Sequence, residues 1–419
     1  MSKIEKKRLG DIVNFKRGYD LPSYNRIEGK FPIISSSGIS GYHSEYKKEG
    51  EGLITGRYGT LGEVYYINEK YWPHNTALYV TDFKGNYPKY TYFLMKCLGN
   101  LKTSDKSTVP GINRNDLHEI IVPYIESEFQ KPLADCLYNI ERKIELNNRI
   151  NAELEAMAKT LYNYWFVQFD FLDKNGKPYK TNGGKMVWNE ELNREVPEGW
   201  KVTNLSNLTS LISRGISPLY VETKGVCVLN QKCIREKTVL YSESRRHDNM
   251  TKNADSKRIE LNDILVNSTG VGTLGRVAIV KRLLEGYVTV DSHVTIVRAN
   301  SDLVDKYFFG ASLLEKQTEI EKFALGSTGQ VELSRFQLEG IKLILPPQAL
   351  QIKFSSLYSQ ILNKMAICEE ENQHLSSLRD WLLPMLMNGQ VTVGAKEKAG
   401  YQIKEALDLA AEPGKFNTK

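Results

Sequence analysis

The chain has 419 residues, 41% hydrophobic and 25% charged, with a formal net charge of +6, the balance of a chain that buries real cores in two or three units. No apolar run approaches the ~18 residues that span a bilayer, and the start, Met1 to Arg8, has no apolar h-region, so a soluble, cytoplasmic protein is expected. Cys97, Cys136, Cys227, Cys233 and Cys368 are scattered without a CxxC pair, which speaks against a disulfide scaffold or a zinc ribbon.

The basic excess falls in two blocks, +5 over residues 1–123 and +4 over 200–347, separated by −3 over 124–199 and followed by 0 over 348–419. Along the first block Gly52–Thr55, Val64–Ile67, Leu78–Val80 and Ile120–Pro123 read as short strands, with a helix expected over Lys89–Leu101. A long helix follows, with Leu137, Ile140 and Ile144 leading into Ile150, Leu154, Met157, Leu161 and Tyr164 at alternating spacings of four and three. Asp173 to Gly184 is turn-rich and leads through Val187 to the entry Val196-Pro197-Glu198-Gly199-Trp200. The second block has strands at Asp291–Val297 and Leu343–Pro346 and a helix over Asp302–Lys322. It too ends in a long helix, marked by Leu357, Ile361, Met365, Cys368, Leu375, Leu378, Leu382 and Met385.

These halves repeat one another. Gly59-Thr60-Leu61-Gly62 returns as Gly272-Thr273-Leu274-Gly275, Ser107-Thr108 as Ser327-Thr328, and Leu137-Tyr138 as Leu357-Tyr358. Asn151, Leu154 and Leu161 return as Asn372, Leu375 and Leu382. An ordered set with slowly drifting offsets marks a tandem duplication. The expected fold is α+β, with two similar globules joined by two long helices that form an antiparallel coiled coil with pseudo-two-fold symmetry. Asn147, Asn151 and Asn372 near the seam would set its register.

The motifs of catalysis are missing or misplaced. Gly270-Val271-Gly272-Thr273-Leu274-Gly275 has the glycines of a dinucleotide loop, but β-branched Val277-Ala278-Ile279 follows where a helix is needed. There is no GxxxxGK[ST], and Leu345-Pro346-Pro347-Gln348 lacks the amide or acid and the aromatic of an adenine methyltransferase motif. His43, His74, His118, His247, His293 and His374 show no metal-ligand spacing, so no metal site is expected. Asp20, Glu28 and Lys30 mimic the spacing of a metal-dependent nuclease and form the alternative reading.

Two basic globules and a helical spacer without an engine suggest a ruler that grips something at two places. Leu161-Tyr162-Asn163-Tyr164-Trp165-Phe166 running into Phe169-Asp170-Phe171, then Gly176-Lys177-Pro178-Tyr179, Pro197-Glu198-Gly199-Trp200 and the paired Thr-Leu-Gly loops resemble the specificity subunits of type I restriction–modification enzymes. The resemblance spans roughly residues 5–390. It implies a first target-recognition domain at 1–124, a central helix at 125–168, a linker at 169–197, a second recognition domain at 198–347, a C-terminal helix at 348–389 and a tail at 390–419. It also implies a DNA-reading subunit without chemistry or cofactor of its own. Its partners would be double-stranded DNA, two modification subunits that use S-adenosylmethionine to methylate adenine N6, and restriction subunits that use ATP and Mg²⁺, with no membrane.

Polar loop residues able to meet phosphates or base edges are the candidates for DNA contact. In the first half these are Lys16, Arg17, Ser35, Ser36, Arg57, Tyr58, Thr60, His74, Asn75, Asn113 and Arg114. In the second they are Arg214, Asn230, Gln231, Lys232, Asn267, Ser268, Thr269, Thr273, Ser292, His293, Ser327, Thr328, Gln330 and Arg335. Different residues at matching positions, such as Arg57 against Ser268 or Thr269, predict an asymmetric target. Leu146, Met157, Leu161, Trp165 and Leu386 are expected as exposed apolar docking points for the partner subunits.

Overall fold

The computed structural model describes residues 5–57, 63–98, 113–323 and 332–393. The chain divides into two compact units, one formed by Met1–Leu146 with Glu371–Lys419 and the other by Asn147–Glu370. The helix Ser127–Tyr162 starts in the first unit and ends in the second; the helix Gln348–Met387 starts in the second and ends in the first.

The sheets of the two units follow one plan. In the first, antiparallel strands run in the order Asn14–Arg17, Ala77–Asp82, Glu51–Gly56, Val64–Asn68; in the second the order is Thr209–Arg214, Val294–Ala299, Ile264–Asn267, Val277–Ile279. Against each lies a smaller sheet with one parallel pair, Phe31–Ser35 beside Trp72–Pro73 and Val226–Leu229 beside Val288–Val290. A third antiparallel pair, Glu5–Arg8 with Ile121–Tyr124 and Lys201–Asn204 with Lys342–Leu345, ties the start of each half to the strand that feeds its long helix. The strand expected from Asp291 begins at Val294, and the helix expected over Asp302–Lys322 breaks into Lys306–Glu315 and Gln317–Lys322. The GxGxxG segment is a loop that delivers Val277–Ile279, with Gly270, Gly272 and Gly275 at positive φ.

Each unit takes one end of both helices into its core. In the first unit Leu133, Ala134 and Leu137 share a cluster with Leu386 and Met387, and Lys143 pairs with Glu371 at 3.1 Å. In the second, Leu154, Ala158 and Leu161 meet Phe354, Tyr358, Leu362 and Met365. The heptad frame needs two corrections. Met157 is exposed and Ala158, buried in the second core, takes its seam position. Leu357 is likewise exposed while Tyr358 is buried, so Tyr358, not Leu357, stands where Leu137 stands in the first repeat.

A buried glutamine fixes that alignment. Gln130 accepts from the Tyr87 backbone N–H at 2.8 Å and donates to the Ile125 carbonyl at 2.8 Å. Gln351 accepts from the Asp305 N–H at 2.9 Å and donates to the Pro346 carbonyl at 2.8 Å. Each clamps the first turns of a long helix to the residue that opens the sheet-covering helix of its own half. Residues 169–197 are folded onto the second unit: Met186–Asn189 pairs with Arg194–Pro197, and Phe169, Phe171 and Val196 are buried. The Phe171 ring stacks on Trp200 at 5.3 Å, and Phe166 meets Phe354 at 4.9 Å.

Gln351→Leu would leave an amide N–H and a carbonyl buried without partners, a loss of about 2 kcal/mol. Chemical denaturation of the full chain should show this as an earlier midpoint, whereas Ile352→Gln, at an exposed neighbour, should change little.

Candidate nucleic-acid interface

The loops at one end of each sheet pair are held by the same four backbone hydrogen bonds. In the first unit Gly18 N–H donates to Ala77 O at 3.0 Å, Tyr19 to Pro73 at 2.8 Å, His74 to Ile34 at 2.8 Å and Arg57 to Thr76 at 3.0 Å. In the second, Gly215 donates to Val294 at 3.0 Å, Ile216 to Val290 at 2.9 Å, Asp291 to Leu229 at 2.8 Å and Ser268 to His293 at 2.8 Å. Arg17 thus corresponds to Arg214, Arg57 to Ser268, His74 to Asp291, Asn75 to Ser292 and Thr76 to His293. A glycine is required where the loops cross. A Cβ on Gly18 would sit 2.2 Å from His74 O, and one on Gly215 would sit 2.0 Å from Val290 O.

In the first unit this end carries Lys16 and Arg17, both exposed, and the half-buried Ser36, Arg57, His74 and Asn75. Arg17 reaches the Asn75 carbonyl at 3.4 Å and Asp20 at 3.5 Å, and Asn75 donates to the same carboxylate. His74 Nδ1 lies 3.1 Å from the Thr76 hydroxyl, and burial, with Arg26 nearby, holds the imidazole below its usual pKa and so neutral. Thr76 Oγ1 accepts from the Ser36 N–H. Ser35 is buried and donates to Gly38 O at 3.0 Å, shaping the hairpin rather than facing solvent. Asn113 caps the helix Arg114–Glu119 by accepting from Asn115 N–H at 3.0 Å, leaving Arg114 exposed.

In the second unit Asn230 caps a short turn through Lys232 N–H at 2.8 Å and donates to Glu243 O at 2.7 Å. Lys232 and His293 are exposed, and Gln231, Thr269, Thr273 and Ser292 half-buried. Asn267 and Ser268 are fully buried: Asn267 donates to Gln231 O at 3.0 Å, and Ser268 bonds Thr295. Both therefore hold the loops from beneath. Thr273 donates to the Gln231 side chain at 3.3 Å, and Thr269 meets His293 Nδ1 at 2.6 Å. Arg214 bonds Glu332 and the Leu333 carbonyl. Ser334 caps its helix as Asn113 does, and Arg335, exposed, pairs with Glu339 at 2.6 Å. Tyr58, Thr60, Ser327, Thr328 and Gln330 lie outside the described residues.

Sequence reading missed a pair of buried histidines. His43 and His247 occupy matching strand positions opposite Phe31 and Val226, and their Nδ1 atoms accept from Ile27 N–H at 3.1 Å and Leu219 N–H at 2.9 Å. Only strand pairing reveals the match, because the residues around them differ. Of the expected docking residues, Leu146 and Met157 are exposed and Leu161 is half-buried against the second core. Trp165 and Leu386 are core residues instead, the one packed on Phe354 and the other in the cluster of Leu133 and Leu137. Among the described residues no three His, Cys, Asp or Glu side chains gather as they would to hold a metal ion.

The sequence profile of the type I restriction modification DNA specificity domain matches residues 1–156 and again 197–377. The chain belongs to this family. It is 26% identical over 313 residues to the MjaIX specificity subunit of Methanocaldococcus jannaschii, covering 73% of this chain and 69% of that one. It is 22% identical over 349 residues to the HindI specificity subunit of Haemophilus influenzae, covering 69% and 72%. The crystal structure of the type I S subunit from M. genitalium shares the fold, with a TM-score of 0.65, 16% identity and coverage of 92% and 96%. The chain is a DNA sequence-specificity subunit of a type I restriction–modification system. Specificity subunits of this family recognise DNA and do not catalyse, and the nuclease reading of Asp20, Glu28 and Lys30 finds no support among these relatives. Asp20 is instead bonded by Arg17 and Asn75. No helix among the described residues is long and apolar enough to cross a membrane.

Gly215→Ala forces a methyl group onto the Val290 carbonyl, a backbone atom that cannot swing away. The specificity subunit carrying it should lose the bond between Gly215 and Val294 and with it DNA affinity, measured by fluorescence anisotropy. Gly286→Ala, where a Cβ meets nothing within 4 Å, should bind as the wild type does.

Proposed function

We propose that each globular unit reads one half of a bipartite DNA sequence and that the two halves differ. The observation that supports this is the shared loop scaffold with unlike side chains upon it: Arg57, His74, Asn75 and Thr76 in one unit stand where Ser268, Asp291, Ser292 and His293 stand in the other. Phosphate contacts from Lys16, Arg17, Arg114, Lys232 and Arg335 supply salt-sensitive affinity, and the loop tips supply base readout. The remaining loop candidates, with Ser35, Asn267 and Ser268, set the shape that presents them. The long helices set the gap between half-sites. Their exposed faces, including Leu146 and Met157, receive two modification subunits that methylate adenine N6 with S-adenosylmethionine. Restriction subunits using ATP and Mg²⁺ complete the assembly in a bacterial or archaeal cytoplasm.

A strand-resolved adenine-methylation map of the host, with and without this gene, tests the reading directly. A bipartite, asymmetric motif that disappears with the gene is the expected result. Motifs that persist unchanged would overturn it, provided the modification subunit is expressed alongside.

The spacer has its own test. Deleting residues 144–150 and 365–371 together removes one heptad from each helix, about 10 Å of rise, or roughly three base pairs at 3.4 Å each. The mapped motif should keep both half-sequences and shorten its gap by about that amount. A folded double deletion with an unchanged gap would show that the helices do not measure it.

A further inference from the structure

The strand Arg245–His247 presents an arginine with no counterpart in the first unit. Arg245 and Arg246 alternate across the strand, and their fates differ. Arg246 is held by the Glu285 carboxylate and reaches the Gly225 carbonyl at 3.3 Å. Arg245 is exposed and lays its guanidinium over the Tyr220 ring, 3.4 Å from the centroid. Tyr220 stands on the neighbouring strand, paired with His247, and the Asp291 carboxylate lies near it. Asp291 is buried and accepts from the His293 N–H at 2.9 Å, while His293 Nδ1 meets Thr269 at 2.6 Å. Arg245 is opposite Val228, one residue before the strand end that leads into Asn230 and Gln231. The stacked arginine therefore stands at the end of the sheet from which the loop of Asn230 and Gln231 leaves.

Stacking fixes the plane of a guanidinium and lowers the entropy lost when its fork engages a base. A planar, preoriented fork at a DNA-facing edge matches the O6 and N7 acceptors of guanine in the major groove. In the first unit the position opposite Ile33, which matches Val228, falls in a bulge near Ser40 and Gly41, where no such side chain exists. We propose that Arg245, positioned by Tyr220, reads a guanine in the half-site of the second unit. This rests on the two-half-site reading above and names one residue and one base within it.

The experiment repeats the methylation map with Arg245→Ala, Arg245→Lys and Tyr220→Phe in the full complex. Arg245→Ala should make one guanine position of one half-motif degenerate, with methylation at sites lacking it rising about tenfold to a hundredfold relative to sites that keep it. Arg245→Lys should relax the same position, since it keeps charge and loses the fork, and Tyr220→Phe, which keeps the ring, should leave the motif intact. The half-motif of the first unit should stay unchanged throughout. Uniform loss of methylation without degeneracy, restored by Arg245→Lys, would mean a phosphate contact and overturn the proposal, as would an unaltered motif in all three variants. Complete loss of signal in both arginine variants is resolved by anisotropy on purified complex: wild-type affinity for both guanine-bearing and guanine-lacking sites would equally overturn it, and a selective loss on the guanine-bearing site would support it. A wild-type map without any bipartite motif would overturn the two-half-site reading itself, a result these variants cannot mimic.

Discussion

The close crossing at Gly18 and Gly215 is the constraint on which the loop geometry of both units depends. At each, the end of an outer strand passes so near a carbonyl of the neighbouring loop that a Cβ would lie about 2 Å from oxygen. That approach lets Gly18 and Tyr19, and Gly215 and Ile216, bond backward to the residues flanking the loops His74–Thr76 and Asp291–His293. Three loops from two different sheets are thereby locked to one another through main-chain atoms. Buried main-chain groups must be paired wherever they lie, so the loops keep this geometry whichever side chains they carry.

Below that edge, each core is assembled from parts distant in sequence. The first unit needs Leu386 and Met387, about 250 residues beyond Leu137, and the second closes the start of one long helix over the end of the other. The glutamine clamps make the join exact in register: Gln130 and Gln351 bond both a helix-opening N–H and the carbonyl just before the long helix. A slip of one residue would strand these groups and would turn the exposed Met157 to the position of the buried Ala158. Within each unit, helix register and sheet geometry are thus fixed by the same clamp.

Much of this was legible in the sequence because duplication writes the same pattern twice. The strands and the long helices follow from matched spacing, and the GxGxxG segment reads as a loop because the β-branched Val277-Ala278-Ile279 follows it. Met157 and Leu357 were misplaced because hydrophobic periodicity counts large aliphatic side chains and gives less weight to Ala158 and Tyr358, which are the buried neighbours. Ser35, Asn267 and Ser268 looked like surface polars because nothing local distinguishes a hydroxyl or amide spent on a neighbouring strand from one facing water. Trp165 and Leu386 looked like docking points because the cores that bury them are completed by segments far away in the chain. Gln130, Gln351, His43 and His247 went unnoticed for the same reason: their partners are fixed only by strand pairing and helix packing.

The separation of scaffold from side chain has a consequence for how recognition changes. At Arg57 and Ser268 the same main-chain bond is made by residues of different charge, one half-buried and the other fully buried against Thr295. His74 and Asp291 likewise share a main-chain bond, yet one is a neutral imidazole and the other a carboxylate whose pKa burial pushes up. Folding constrains the backbone at these positions and leaves their chemistry open, so a new half-site can be specified without rebuilding the core. The cost falls on the side chains beneath: Asn267 and Ser268 bond their own neighbours in the second unit, where Gly56 and Arg57 occupy the first. Each loop edge is therefore a common backbone frame with its own side-chain supports, and under the proposed reading two such frames in one chain diverge in what they read.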